Sequence, residues 1–113
     1  MQQPQQQIIL NWKTQSLEDQ KISMANEYSG MAYQMQQNIA AKKRQVELFN
    51  KNIIPALKKN YESTLLAYEQ NTEELFELYD GWETLNNTQF EYLDLLQELL
   101  SMQVELEKIL EKK

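Results

Sequence analysis

Ala67-Tyr68-Glu69-Gln70-Asn71-Thr72-Glu73-Glu74-Leu75 is the only credible reversal between two long runs of helical periodicity. Asn71 can take the left-handed conformation that ends a helix. Thr72 can cap the helix that follows, and Asn71 with Glu74 offers an alternative capping box. Glu73, Glu74 and Glu77 then sit at the positive end of the new helix dipole, where negative charge is favoured. Lys108 to Lys113 place the complementary charge at the far end. The spacing predicts a helix over about residues 7–70, a turn over about 70–73 and a second helix over about 73–112. The expected fold is all-α: one long antiparallel helical hairpin, coiled-coil-like, that assembles into a bundle.

Before the turn, apolar residues recur in steps of three and four. Met24, Tyr28, Met31, Met35 and Ile39 lead into Val46, Phe49, Ile53, Leu57, Tyr61, Thr64 and Tyr68. This is a coiled-coil-like packing seam. Gly30 interrupts it at a cost of about 1 kcal/mol relative to Ala, which a close helix contact would justify. Pro55 removes a backbone donor and clashes with the carbonyl four residues back. The periodicity continues through it, so a kink is expected rather than a stop. At 1.5 Å per residue the first arm would run about 95 Å, far beyond an ordinary globular helix.

After the turn, two adjacent seams are expected. One runs Leu75, Leu78, Trp82, Leu85, Tyr92, Leu96, Leu99, Leu106 and Leu110. The other runs Phe76, Tyr79, Phe90, Leu93, Leu100 and Val104. A stripe that wide suits a helix with neighbours on both sides. Two helices leave each apolar stripe half covered, so further helices from partner chains or adjoining sequence are implied.

Composition narrows the chemistry. Gly and Pro occur twice each, too few for many tight turns. There is no Cys, which removes disulfides and thiolate metal sites, and no His, which removes the commonest general base and metal ligand. Net charge is −6, unevenly placed: residues 1–71 hold eight basic and six acidic side chains, residues 72–113 three and eleven. The acidic second arm would repel phosphates, so no nucleic-acid partner is expected. Lys42-Lys43-Arg44 reads as a solvated face. No stretch approaches the roughly twenty apolar residues that a transmembrane helix needs. The start, Met1-Gln-Gln-Pro-Gln-Gln-Gln, lacks the basic-then-apolar pattern of a signal peptide. The reading therefore expects either a cytosolic chain or a piece of a longer protein.

Carboxylate pairs such as Glu73 with Glu77 and Glu77 with Asp80 could in principle move protons or hold a divalent cation. Acid enrichment of a first helical turn explains them more simply. Met24, Met31 and Met35 share a face and could bind a soft metal, but a Met stripe at this spacing more often makes a deformable seam. No catalytic residue, metal site or cofactor is expected, and an enzyme is the least supported class.

With the reversal in place, a larger pattern emerges. Glu47-Leu48-Phe49-x-x-x-Ile53-Ile54-Pro55-Ala56 precedes Asn60-Tyr61-Glu62-x-x-Leu65-Leu66-Ala67-Tyr68. After the turn come Leu75-Phe76-Glu77-Leu78-Tyr79-Asp80-Gly81-Trp82-x-Thr84-Leu85 and Gln89-Phe90-Glu91-Tyr92-Leu93. Over about residues 45–110 this resembles the periplasmic helical hairpin of the TolC-like outer membrane efflux proteins, closest to the branch paired with heavy-metal and other cation pumps. Two positions depart from that pattern: Asn71 replaces a tip Gly, and Gly81 replaces an Ala.

The resemblance implies a trimeric full-length protein with two such hairpins per chain, forming a twelve-helix tunnel across the periplasm of a Gram-negative bacterium. It implies contact with the outer membrane only through a β-barrel portion that this sequence lacks. A periplasmic adaptor and an inner-membrane pump would be partners, and the chain would be a passive conduit. Tyr68, Asn71, Thr72, Glu73 and Glu74 would form the tunnel tip and adaptor contact. Leu78 and Asp80 would lie at the constriction. This chain alone would form a dimer or a higher bundle. The alternative is a free-standing coiled-coil scaffold or adaptor unrelated to transport.

Overall fold

The computed structural model describes residues 4–111. The first arm contains α1 (Pro4–Leu48), a π-helical turn (Phe49–Ile53) and α2 (Ile54–Glu69); α3 (Leu75–Glu111) returns along it. The result is a helical hairpin measuring 103 × 17 × 17 Å. The first helix begins at Pro4 rather than near residue 7. Proline suits that position because the first helical N–H groups have no partner anyway. The second helix begins at Leu75, two residues later than its charge pattern predicts. The first three residues of the Gln-rich lead at 1–7 and the expected helix end at residue 112 lie outside the described residues.

The turn is a Schellman motif. Asn71 is left-handed at φ 62°. Its N–H donates to the Tyr68 carbonyl at 3.0 Å, and the Thr72 N–H donates to Ala67 at 2.8 Å. The Thr72 hydroxyl adds a second bond to the Ala67 carbonyl at 3.0 Å. Thr72 therefore ends the first arm and does not cap the second. The Glu74 carbonyl opens α3, accepting from Glu77 and Leu78.

The arms meet along one heptad seam. In α3 it runs Leu78, Gly81, Leu85, Thr88, Tyr92, Leu95, Leu99, Met102, Leu106 and Ile109, in strict alternation of three and four. In α1 it runs Tyr28, Ala32, Met35, Ile39, Lys42, Val46 and Phe49. Ile39, Val46 and Leu99 form the buried centre, with Tyr92, Leu95, Leu96, Met102 and Leu106 packed around it. Phe49, Ile53, Leu57, Tyr61 and Leu85 are half-buried along the same line. Lys42 reaches across to Glu98 at 2.6 Å. Among the described residues no polar side chain is buried, so the seam is a dry stripe with polar edges.

Six positions expected in the seam of the first arm or the first seam of the second lie outside it, Tyr68 and Leu110 among them. Met24, Met31, Leu75 and Trp82 are exposed as well. The heptad frame selects Ala32 beside Met31 and Gly81 beside Trp82; side-chain size misleads where a small residue holds the inward position. No atom of the facing helix lies within 4 Å of where a Cβ of Gly30 would stand, so no close helix contact among the described residues accounts for it.

Pro55 does not stop the first arm. The arm absorbs it in the π-turn, where the Ile54 N–H bonds the Phe49 carbonyl five residues back. Widening the helix by one residue at this point relieves the clash between the proline ring and the preceding turn.

Because α3 ends opposite the Tyr28–Ala32 region, residues 4–27 of α1 extend past it. At 1.5 Å per residue this overhang is about 36 Å long.

Candidate functional site

Three longitudinal stripes divide the surface of α3. The first is the covered seam. Beside it on one flank lies an uncovered apolar stripe: Phe76, Tyr79, Trp82, Phe90, Leu93, Leu100 and Val104, all exposed, with Phe76 at 73 % and Phe90 at 65 %. On the other flank lies an acidic stripe: Glu77, Asp80, Glu91, Asp94, Glu98 and Glu105, all exposed. The sequence dictates this division. Heptad spacing keeps each class on its own line, and successive residues turn about 100° around the axis.

The stripes differ in what they can do. Apolar area left in water favours association by about 25 cal/mol per Å² covered. Monomeric proteins seldom leave an apolar stripe of such length open. The acidic stripe cannot be covered in the same way, because burying unpaired carboxylates is costly. It stays beside water or meets cations.

The hairpin tip gathers Tyr68, Asn71, Thr72, Glu73 and Glu74 within one reversal, all exposed. Asn71 and Thr72 hold the backbone through the Schellman bonds. Glu73 lies between them and the Glu74 carbonyl that starts α3, with its side chain in solvent. Tyr79 and Trp82 stack obliquely just above, their ring centroids 6.0 Å apart. Leu78 and Asp80 lie on different faces of α3. Two residues apart on a helix, they project about 200° from each other. Leu78 is half-buried in the seam and Asp80 is exposed on the acidic flank. Leu78 holds the hairpin together, which leaves Asp80 as the outward-facing member of the pair.

The described residues contain no grouping of three or more His, Cys, Asp or Glu side chains able to hold a metal ion. The open groove between α1 and α3 is lined by Asn38, Lys42, Gln45, Asp94, Gln97 and Glu98, which follow from the seam edge. No described helix is long and apolar enough to cross a membrane.

Residues absent from the expected seam emerge here as the ones that hold it: Ala32, Leu95, Met102 and Ile109. Counting from Leu99 in alternating steps of three and four finds Met102, Leu106 and Ile109 in one direction and Leu95, Tyr92 and, after Thr88, Leu85 in the other. That signal lies in the sequence.

No protein-family model matches the chain, and neither a curated protein nor a solved structure matches it.

Proposed function

We propose that this chain is a wall segment of an export duct, a helical hairpin that stands beside copies of itself to form a tunnel. The carrying observation is the division of α3 into an uncovered apolar flank and an acidic flank on opposite sides of one closed seam. A segment built this way is satisfied by neighbours on its apolar side and by water on its acidic side. In a ring, that arrangement lines the passage with carboxylates and concentrates cations there. The similarity to TolC-like efflux proteins over residues 45–110 supplies the biological setting. On this reading the duct crosses the periplasm, and a β-barrel portion outside this sequence enters the outer membrane. A periplasmic adaptor meets the tip residues Tyr68, Asn71, Thr72, Glu73 and Glu74, and an inner-membrane pump provides the energy. Asp80 and the tip carboxylates favour cations at the entrance.

Mass determination by light scattering, joined to electron microscopy of the purified chain, tests the reading. A ring of about six copies with a central passage supports it, since three chains with two hairpins each place six hairpins around one tunnel. Leu93→Glu with Leu100→Glu should disperse that ring. A closed dimer without a passage, or a monomer indifferent to those substitutions, contradicts the duct and favours the free-standing scaffold.

A further inference from the structure

We propose that the π-turn at Phe49–Ile53 is a pivot built into the first arm, dividing the hairpin into a trunk and a tip that can turn relative to one another. The inference does not rest on the duct reading and holds for a scaffold equally.

Three independent features converge on this turn. The first is heptad phase. From Tyr28 the inward positions advance by four and three to Phe49. Continued without change, they would fall on Ile53, Ala56, Asn60 and Ser63. Ile53 is half-buried, but its neighbour Ile54 is the buried residue, at 8 %, and the line continues through half-buried Leu57, Tyr61 and Thr64 while Ala56, Asn60 and Ser63 are exposed. The tip half is therefore written one residue out of phase with the trunk half. A single-residue insertion of this kind unwinds a coiled coil locally, and a π-turn is the means of housing it.

The second feature is Pro55. It has no N–H to give the Lys51 carbonyl, so the helix cannot close normally across the junction even if the phase allowed it. The third lies on the facing helix. Lys42 pairs with Glu98 on one side of the junction, and Gly81 lies closest to Asn60 on the other. Between these two points the stretch facing the π-turn is Asn86-Asn87-Thr88-Gln89. No aliphatic side chain occupies the α3 seam between Leu85 and Tyr92. The apolar seam of α3 is thus interrupted opposite the π-turn, where Ile54 is buried against polar neighbours rather than aliphatic ones. Local opening concentrates where apolar packing is thin and backbone bonding is irregular.

The test uses the full chain and three variants: Pro55→Ala, deletion of Asn52, and the two combined. Asn52 is exposed within the π-turn, and its removal brings Ile54 to the position four residues after Phe49. In the parent, amides of residues 50–54 should exchange about tenfold faster than those of the flanking turns around Val46 and Leu57. Deletion of Asn52 in the Pro55→Ala background should slow those amides to the flanking rate and raise Tm above that of Pro55→Ala alone. Deletion with Pro55 in place should lower Tm, because the ring then meets an ordinary α-turn. The proposal is overturned if the parent junction is as protected as its flanks. It is also overturned if the deletion lowers Tm in the Pro55→Ala background, which would mean that the extra residue belongs to the packing frame. The exchange measurement on the parent decides the matter even where a variant does not fold.

Discussion

Two stretches of α1 have the same secondary structure and opposite circumstances. Residues 28–48 present Ala32, Ile39 and Val46 to α3, and all three are buried. Residues 4–27 present no buried side chain to the other described helices. Ile8, Ile9, Leu10, Trp12, Leu17, Ile22 and Met24 all lie exposed there. Yet the overhang is not patternless: Leu10, Leu17, Met24 and Met31 recur at intervals of seven. The contrast teaches that helical periodicity and helical stability are separate properties. In proteins most helical stability comes from packing of an apolar face rather than from propensity. The paired stretch receives that packing within the chain. The overhang carries an apolar line that the described residues leave uncovered.

The largest effect should separate the two stretches. Leu99→Ala removes the centre of the buried cluster and should cost about 2–4 kcal/mol in denaturant unfolding. Leu17→Ala, in the overhang, should cost less than about 0.5 kcal/mol in the same assay, as exposed positions do. Comparable losses at the two sites would erase the distinction between paired and unpaired helix.

Next in size is the tip. Asn71→Ala places a side chain with no local hydrogen bond in the left-handed region and should destabilise the hairpin by about 1 kcal/mol. Asn71→Gly should leave stability unchanged or raise it. A loss with glycine as large as that with alanine would mean that the Asn71 side chain, rather than its backbone conformation, holds the turn.

Glycines sharpen the comparison further. Gly81 lies in the paired seam with only the Asn60 side chain, at 4.0 Å, near the place of a Cβ. Gly81→Ala should therefore raise stability by about 0.5–1 kcal/mol. Gly30→Ala, at the edge of the overhang, should raise helicity by circular dichroism with a smaller change in the unfolding midpoint. If Gly30→Ala instead weakens self-association while leaving the single hairpin intact, the close contact missing within the chain belongs to a neighbouring copy.

The smallest effect concerns charge. The Lys42 to Glu98 pair is partly exposed on the Glu98 side, so Lys42→Met should cost less than about 1 kcal/mol. That cost should shrink as salt is added, because exposed charges are screened. A salt-independent loss in thermal unfolding would point to packing of the lysine stem rather than to the ion pair.

Much of this architecture was legible in the residues. Asn71 marked the reversal because few residues other than glycine tolerate a left-handed backbone. The acids after it marked a helix start because the dipole favours them there. The details escaped where a general preference met a local competitor. Thr72 is a good N-cap residue, but its hydroxyl donates to the Ala67 carbonyl instead. Met31 and Trp82 looked like seam residues by size, whereas the frame placed Ala32 and Gly81 inward. Pro55 was readable as a disturbance. Its resolution as a π-turn required seeing that the heptad phase shifts by one residue at the same place. The candidate constriction was the least legible feature: Leu78 and Asp80 are neighbours in sequence but face opposite ways once the helix is wound.

The central claim is that the chain reverses once at Asn71 and closes a single seam between its arms. Because the sequence has no cysteine, spin labels can be placed by Gln45→Cys and Gln97→Cys alone, two exposed positions that border the same groove. Dipolar electron resonance on labelled protein diluted with unlabelled chain would read the distance between them. Packed helix axes lie about 8–10 Å apart, so the hairpin predicts a label separation of about 20 Å or less. An unbroken rod would hold the labels roughly 80 Å apart at 1.5 Å per residue, and that result would contradict the account.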